Sequence, residues 1–253
     1  MVSLMGFIGG KSGYRILRRL SPGGKVSCCG GTPDSSNKLD ILGNLFWKVI
    51  KDRHIVDFGC GYGDEAIHMA RRGAAQVVGI DIRENVLDIA RQKAIDAGVE
   101  NSCRFVSDVA GLHADIIVSI DAFEHFDDPG AILDIMAHML NRDGRVWISF
   151  GPPWYHPAGG HGFSVFPWAH LVFTEASLIR WRSDFKTDGA TCFGEVSGGL
   201  NQMTVRHFIR LVERSPLRFD YLECVPIRRA RWFHNRLTRE FFTSIVQCRL
   251  ARR

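Results

Sequence analysis

No apolar run in this sequence approaches the ~18–20 residues that a membrane-spanning helix needs, although 45% of its 253 residues are hydrophobic. That excludes a helical membrane protein and leaves a globular chain long enough for one sizeable core plus an insertion. The pattern of a secretory leader is also missing, because the short apolar stretch Met5-Gly6-Phe7-Ile8 precedes the bases Lys11, Arg15, Arg18 and Arg19 instead of following them. The seven cysteines are odd in number and fall at no framework spacing. Cys28 and Cys29 are adjacent, with no C-x-x-C pair, so neither a disulfide scaffold nor a zinc site is indicated. Reduced thiols without a leader predict a cytoplasmic location. No internal repeat is present.

Acidic residues are scarce at both ends. Residues 1–30 hold five bases and no acid, and residues 201–253 hold twelve arginines against Glu213, Asp220, Glu223 and Glu240. Basic ends of this kind suit nucleic acid or an anionic membrane, and equally a solvated surface. No interleaved aromatic-basic RNA module accompanies them, which argues against nucleic acid and leaves peripheral membrane contact open. The Gly, Ser and basic content of residues 1–35 predicts a flexible arm.

From Ser35-Ser36, which can cap a helix, the texture changes. Leu39, Leu42, Leu45, Phe46 and Ile50 recur at helical spacing. Strand and helix patterns then alternate: strands at 54–58, 76–81, 103–107, 115–120 and 145–150, helices at 64–72, 84–97 and 129–140. This rhythm predicts a doubly wound α/β fold with a parallel sheet. Residues 151–203 break it with a Gly-, Pro- and aromatic-rich insertion containing one helix candidate near 174–182, closed by Ser197-Gly198-Gly199. A helix at 204–213 and two late strands at 217–227 and 241–250 follow.

The first strand runs into Gly59, Gly61 and Gly63 and then into a helix, which makes a turn where a backbone can approach a ligand closely. Eighteen residues beyond Gly63, the second strand ends in Asp81, placed to accept hydrogen bonds from ribose hydroxyls. A nicotinamide fingerprint is absent: the glycines alternate, and Asp64 stands at the helix start, where it repels a pyrophosphate. Asp57, just before the turn, invites a cation. A ligand with ribose, no phosphate and a positive centre fits, and S-adenosylmethionine meets all three conditions.

The ordered motifs resemble those of class I S-adenosylmethionine-dependent methyltransferases, of the type related to quinone and small-molecule methylases. Asp57-Phe58-Gly59-Cys60-Gly61-Tyr62-Gly63 is similar to the first motif of that family, Asp81 to its ribose-binding acid, and Asp108 to the acid facing the adenine amino group. Asp115–Asp121 resembles the fourth strand, Phe123-Glu124-His125-Phe126 the element after it, and Gly144–Phe150 the fifth strand. The resemblance implies a Rossmann-like seven-stranded, mostly parallel sheet with a C-terminal antiparallel hairpin. The methyltransferase domain then runs over 36–253, with 151–203 as a substrate cap. It also implies a cofactor site of Asp57, Gly59, Cys60, Gly61, Gly63, Asp81, Ile82, Asp108, Val109 and Asp121.

Methyl transfer is a displacement at an already activated carbon, so positioning supplies much of the rate. A general base is needed only where the acceptor loses a proton. His125, His156 and His161 are the candidates, each with an alternative structural role; no metal is expected. The aromatics of the insertion suit an aromatic, lipid-like or sugar acceptor, or form a small core of their own. The expected activity is methylation of a small or medium organic acceptor, with oxygen favoured. The alternatives are an RNA or protein methyltransferase and a non-catalytic cofactor-binding subunit.

Overall fold

The computed structural model describes residues 6–24, 35–196 and 198–253, with residues 35–37 described in their backbone alone. In chain order the elements are α1 (Gly10–Leu20), a 3-10 segment (Ser35–Leu42), α2 (Gly43–Val49), β1 (His54–Phe58), α3 (Asp64–Arg71), β2 (Gln76–Ile80), α4 (Glu84–Asp96), β3 (Cys103–Val106), β4 (Ala114–Ile120), α5 (Pro129–Met139) and β5 (Leu140–Phe150). The insertion carries α6 (Ala169–Val172) and α7 (Glu175–Arg182), and the chain ends with α8 (Val205–Arg214), β6 (Leu217–Pro226), α9 (Arg239–Phe242) and β7 (Thr243–Arg252).

The strands form a seven-stranded sheet in the order β3-β2-β1-β4-β5-β7-β6. The first five are parallel; β7 runs antiparallel to both β5 and β6. The expected hairpin is present, with β7 inserted between β5 and β6. Strands such as β1 and β4 are apolar on both faces because helices cover both sides, the usual consequence of parallel crossovers. On one face Val56, Ile117, Val146 and Ile148 pack with α5 and α8 through Leu133, Met136, Phe208 and Val212. On the other, Ile55, Ile116, Val118 and Trp147 pack with α2, α3 and α4 through Phe46, Met69, Leu87 and Ala90. Asp128 caps α5 by accepting from the Ala131 N–H at 3.0 Å, with Pro129 at the first helical position. Order reverses between β1 and β4, so their carboxyl ends diverge into a crevice.

The insertion has its own core of Trp154, Phe163, Phe173, Leu178, Trp181 and Phe193. The expectation of a flexible arm over residues 1–35 is not met where the arm is described: α1 docks on α7, and Leu17 is fully buried in the insertion core. The Gly6 and Ile8 N–H groups donate to the Leu171 and Val172 carbonyls at 3.0 and 3.1 Å, and the Trp181 indole donates to the Ser21 carbonyl at 3.0 Å. Composition hid this because the helix buries only a narrow stripe; its arginines stay outside, with Arg18 and Tyr14 meeting Asp184. Residues 1–5 and 25–34, which include Cys28 and Cys29, and the expected caps from the Ser35 and Ser36 side chains lie outside the described residues.

A Leu17→Ala substitution is expected to lower unfolding stability by about 2–5 kcal/mol, the range for a buried leucine truncation. Chemical denaturation checks it, and an undocked arm would show no change.

Candidate functional site

The crevice between β1 and β4 is built from three loops at the carboxyl edge of the sheet. In the first, Gly59, Gly61 and Gly63 have φ of 83°, 51° and 78°, a left-handed region that favours glycine. A β-carbon on Gly63 would also meet the Phe105 ring at 2.6 Å, whereas one on Gly61 would meet nothing within 4 Å. The Gly61 backbone thus faces open space, as a ligand-contacting turn must. The Cys60 side chain points the other way: it is buried with Phe105 and Leu87, and burial pushes its thiol up, so the site can use its backbone alone.

The second loop follows β2. Asp81 accepts from the Gly61 N–H at 3.1 Å and from the Arg83 N–H at 3.0 Å, and it takes the Arg83 guanidinium bidentately at 2.9 Å on each oxygen. Burial raises its carboxyl, but these donors outweigh that and hold it below the ordinary value. The next residue, Ile82, is 89% exposed, an apolar side chain without cover. Beyond β3, Asp108 accepts from the Ala110 N–H at 3.1 Å and shapes its own turn, with Val109 half-buried beside it.

The third loop follows β4. Asp121 has a left-handed φ of 50° and pairs with Lys38 at 3.1 Å. Lys38 comes from the 3-10 segment before α2, so the crevice closes over residues far apart in sequence. Around it stand Asp57, Glu65 and Glu124. Asp57 and Glu124 are each only 2% exposed. Burial, aided by Glu65, pushes Asp57 well up; burial likewise raises Glu65. Burial pushes Glu124 to about 8, with Asp121 adding to the rise. Asp57 Oδ2, Glu65 Oε1 and Glu124 Oε2 are buried without a hydrogen-bond partner. Burial lowers Lys38, but Asp121 and its neighbours reverse that and raise it. Four carboxyls share one ammonium, so the cluster is built for a cationic guest.

The structure separates the candidate histidines. His125 donates from Nδ1 to the Gly199 carbonyl at 2.8 Å, since a carbonyl can only accept, and its Nε2 is left without a hydrogen bond among the described residues. His161 lies against it, rings edge to face at 5.6 Å, and burial pushes His161 down to about 4. His156 accepts the Ala158 N–H on Nδ1 at 2.9 Å, which leaves the proton on Nε2; burial lowers it to about 4. His170, missed in the sequence, is buried under Trp154 and donates to its carbonyl at 2.6 Å. Trp154 is itself core to the insertion. Among the described residues no group of three or more His, Cys, Asp or Glu side chains is arranged to hold a metal ion.

Lys38, Glu65, Arg83 and Asn201 were also not singled out. Asn201 donates to the Phe123 and Phe126 carbonyls at 2.8 Å and so holds the turn that carries Glu124 and His125.

Residues 56–148 match the family model described as a methyltransferase domain. This part of the chain is similar to that family. It coincides with the five parallel strands and the three crevice loops. The ubiquinone biosynthesis O-methyltransferase of Neisseria meningitidis serogroup C is 38% identical over 106 residues, 40% of this chain and 44% of that one. The enzyme of the same name from Aeromonas salmonicida is 37% identical over 117 residues, 44% of this chain and 46% of that one. The chain thus spans less than half the length of these curated relatives. Magnesium protoporphyrin IX methyltransferase from Synechocystis, solved with bound S-adenosylhomocysteine, shares the fold of the domain at a TM-score of 0.57 and 19% identity, covering 96% of this chain and 95% of that one. An S-adenosylmethionine-dependent methyltransferase from Mesorhizobium loti does so at 0.53 and 19%, covering 83% and 96%.

The crevice should carry a pH signature of its own. A carboxyl raised on folding stabilises the fold fully below its unfolded pKa, and that contribution is lost as pH rises to the folded value. For Glu124 the window runs from the ordinary 4.5 to about 8. Thermal melts of the ligand-free protein are expected to fall across it, and Glu124→Gln to flatten the fall. A Glu124→Gln melt that tracks wild type at every pH would remove Glu124 from this role.

Proposed function

We propose that the chain binds S-adenosylmethionine in the β1–β4 crevice and transfers its methyl group to an oxygen of a small or medium organic acceptor. The observation that carries this reading is the cluster of orphaned carboxylate oxygens on Asp57, Glu65 and Glu124 around Lys38. A methionine end brings an ammonium and a sulfonium to those carboxyls, and a carboxylate to the Lys38 ammonium. Asp81 receives the ribose hydroxyls, with Arg83 as the group that yields part of its hold. Ile82, Asp108 and Val109 line the way to the adenine, and Gly59, Cys60, Gly61 and Gly63 offer backbone along the ligand. When bound, the cofactor supplies a methyl carbon activated by the sulfonium.

His125 is the base this geometry favours. The Gly199 carbonyl fixes its tautomer, and Nε2 is left to take the proton from an acceptor hydroxyl. His156 is disfavoured, because its Nδ1 is engaged by its own loop. The insertion of residues 151–203, stiffened by α1, serves as the acceptor-side cap. Oxygen as the acceptor atom draws support from relatives named O-methyltransferases at 37–38% identity.

Calorimetric titration is expected to show binding of S-adenosylmethionine and S-adenosylhomocysteine and none of NAD. Asp81→Ala should cost about 1.5–3 kcal/mol of that affinity. Affinity should also rise with pH toward 8, since a cation favours ionised carboxyls and at lower pH must displace their protons. Tight NAD binding without either methionine cofactor would sink the reading.

With an acceptor in hand, His125→Ala should lower kcat roughly 10²–10⁴-fold. His156→Ala should change turnover far less. Equal losses in both variants would place the base elsewhere.

A further inference from the structure

The connection between β6 and β7 leaves the same sheet edge as the crevice, because β6 runs parallel to β5. It spans residues 227–242 and ends within 5.3 Å of the insertion, through the rings of Phe241 and Tyr155. It displays large apolar side chains among bases: Trp232, Phe233 and Leu237 are 88%, 64% and 90% exposed, among the exposed arginines Arg228, Arg229, Arg231 and Arg236.

This display is ordered. The Ile227 N–H donates to the Phe242 carbonyl at 2.8 Å, and Asn235 Oδ1 accepts the Leu237 and Thr238 N–H groups at 2.9 and 3.2 Å. Thr238 Oγ1 donates to the Phe233 carbonyl, and His234 Nε2 lies 3.0 Å from Thr243 Oγ1. The acid of the loop, Glu240, is turned inward to cap α8, accepting the Arg206 N–H at 2.8 Å. A loop held by this many internal bonds, with its largest apolar side chains facing water and its acid withdrawn, is shaped for a surface that is apolar within and anionic at its rim.

We propose that residues 228–241 form a docking surface for an anionic lipid membrane. Trp favours the headgroup level, Phe and Leu the apolar region beneath it, and guanidiniums the phosphates. Two other occupants fit less well. A second copy of the chain meeting this patch about a two-fold axis would set the arginines against their own counterparts. Single-stranded RNA would stack on Trp232 and Phe233 but leaves Leu237 without a role. Docked by this loop, the protein turns its crevice edge toward the bilayer, where an acceptor dissolved in lipid would be met.

Co-sedimentation with vesicles tests this, using the full chain without cofactor or acceptor, so that its outcome is independent of methyl transfer. Binding is expected to vesicles containing phosphatidylglycerol and not to phosphatidylcholine alone, and to weaken with salt. Arg228→Glu/Arg229→Glu should lower partitioning at least about fivefold per arginine, and Trp232→Ser/Leu237→Ser should lower it to a similar degree or more. Both pairs are exposed, so melting temperature and S-adenosylhomocysteine affinity should stay at wild-type values, which excludes misfolding as the cause. The proposal is overturned by absent or lipid-indifferent vesicle binding, by vesicle binding that both variant pairs retain, by retention of an RNA oligonucleotide in preference to vesicles, or by a concentration-dependent dimer that the same variants abolish.

Discussion

The reversal of strand order between β1 and β4 is the constraint on which the rest of this structure depends. A right-handed crossover sends α3 and α4 to one face and α5 to the other, so the loops after β1 and β4 separate instead of crossing. The crevice this opens must be walled by loop backbone, which explains the left-handed glycines on one side and the left-handed Asp121 on the other. The two walls nearly touch at their base, where a β-carbon on Gly59 would fall 2.7 Å from Ala122. Any side chain at that glycine would wedge the crevice apart.

The charge inside the crevice works against the fold that creates it. Burying Asp57, Glu65 and Glu124 around one ammonium raises all three carboxyls, and each orphaned oxygen costs free energy. Asp81 is the contrast: a less deeply buried acid whose Arg83 and Gly61 donors hold its carboxyl below the ordinary value. The site therefore has a strained half and a satisfied half. The strained half gains from a cation, while the satisfied half must exchange one of its own partners to admit a ligand. Strain of this kind is expected where binding matters more than stability.

The five parallel strands and their helices were legible because hydrophobic period and glycine turns are local signals; β1, β2 and α5 fall within a residue or so of their expected bounds. Asp57, Asp81 and Asp121 were legible for a related reason, since each ends a strand and topology carries strand ends to one edge. Lys38 and Glu65 were not. Lys38 sits in a 3-10 segment with no distinguishing pattern and reaches Asp121 across 83 positions of chain. Glu65 looks like any acid in a first helical turn, and nothing local shows that the crevice lies above it. The docked α1 was misread because composition counts exposed and buried residues alike, and the single stripe ending in Leu17 is outvoted by its arginines.

The histidines show how far residue type alone can be trusted. Three candidates are indistinguishable by type, yet His125 and His156 each engage Nδ1 with a different backbone group. Gly199 fixes His125 with its basic nitrogen available, while the Ala158 N–H occupies the corresponding pair on His156. Gly199 belongs to the closing turn of the insertion, and Asn201, two residues on, ties that turn to Phe123 and Phe126. The end of the insertion thus sets both the orientation of the His125 ring and the position of its loop. Movement of the insertion about that turn must therefore act on the His125 ring as well. A residue that shifts the Gly199 carbonyl would therefore move the His125 ring without touching the acids of the crevice.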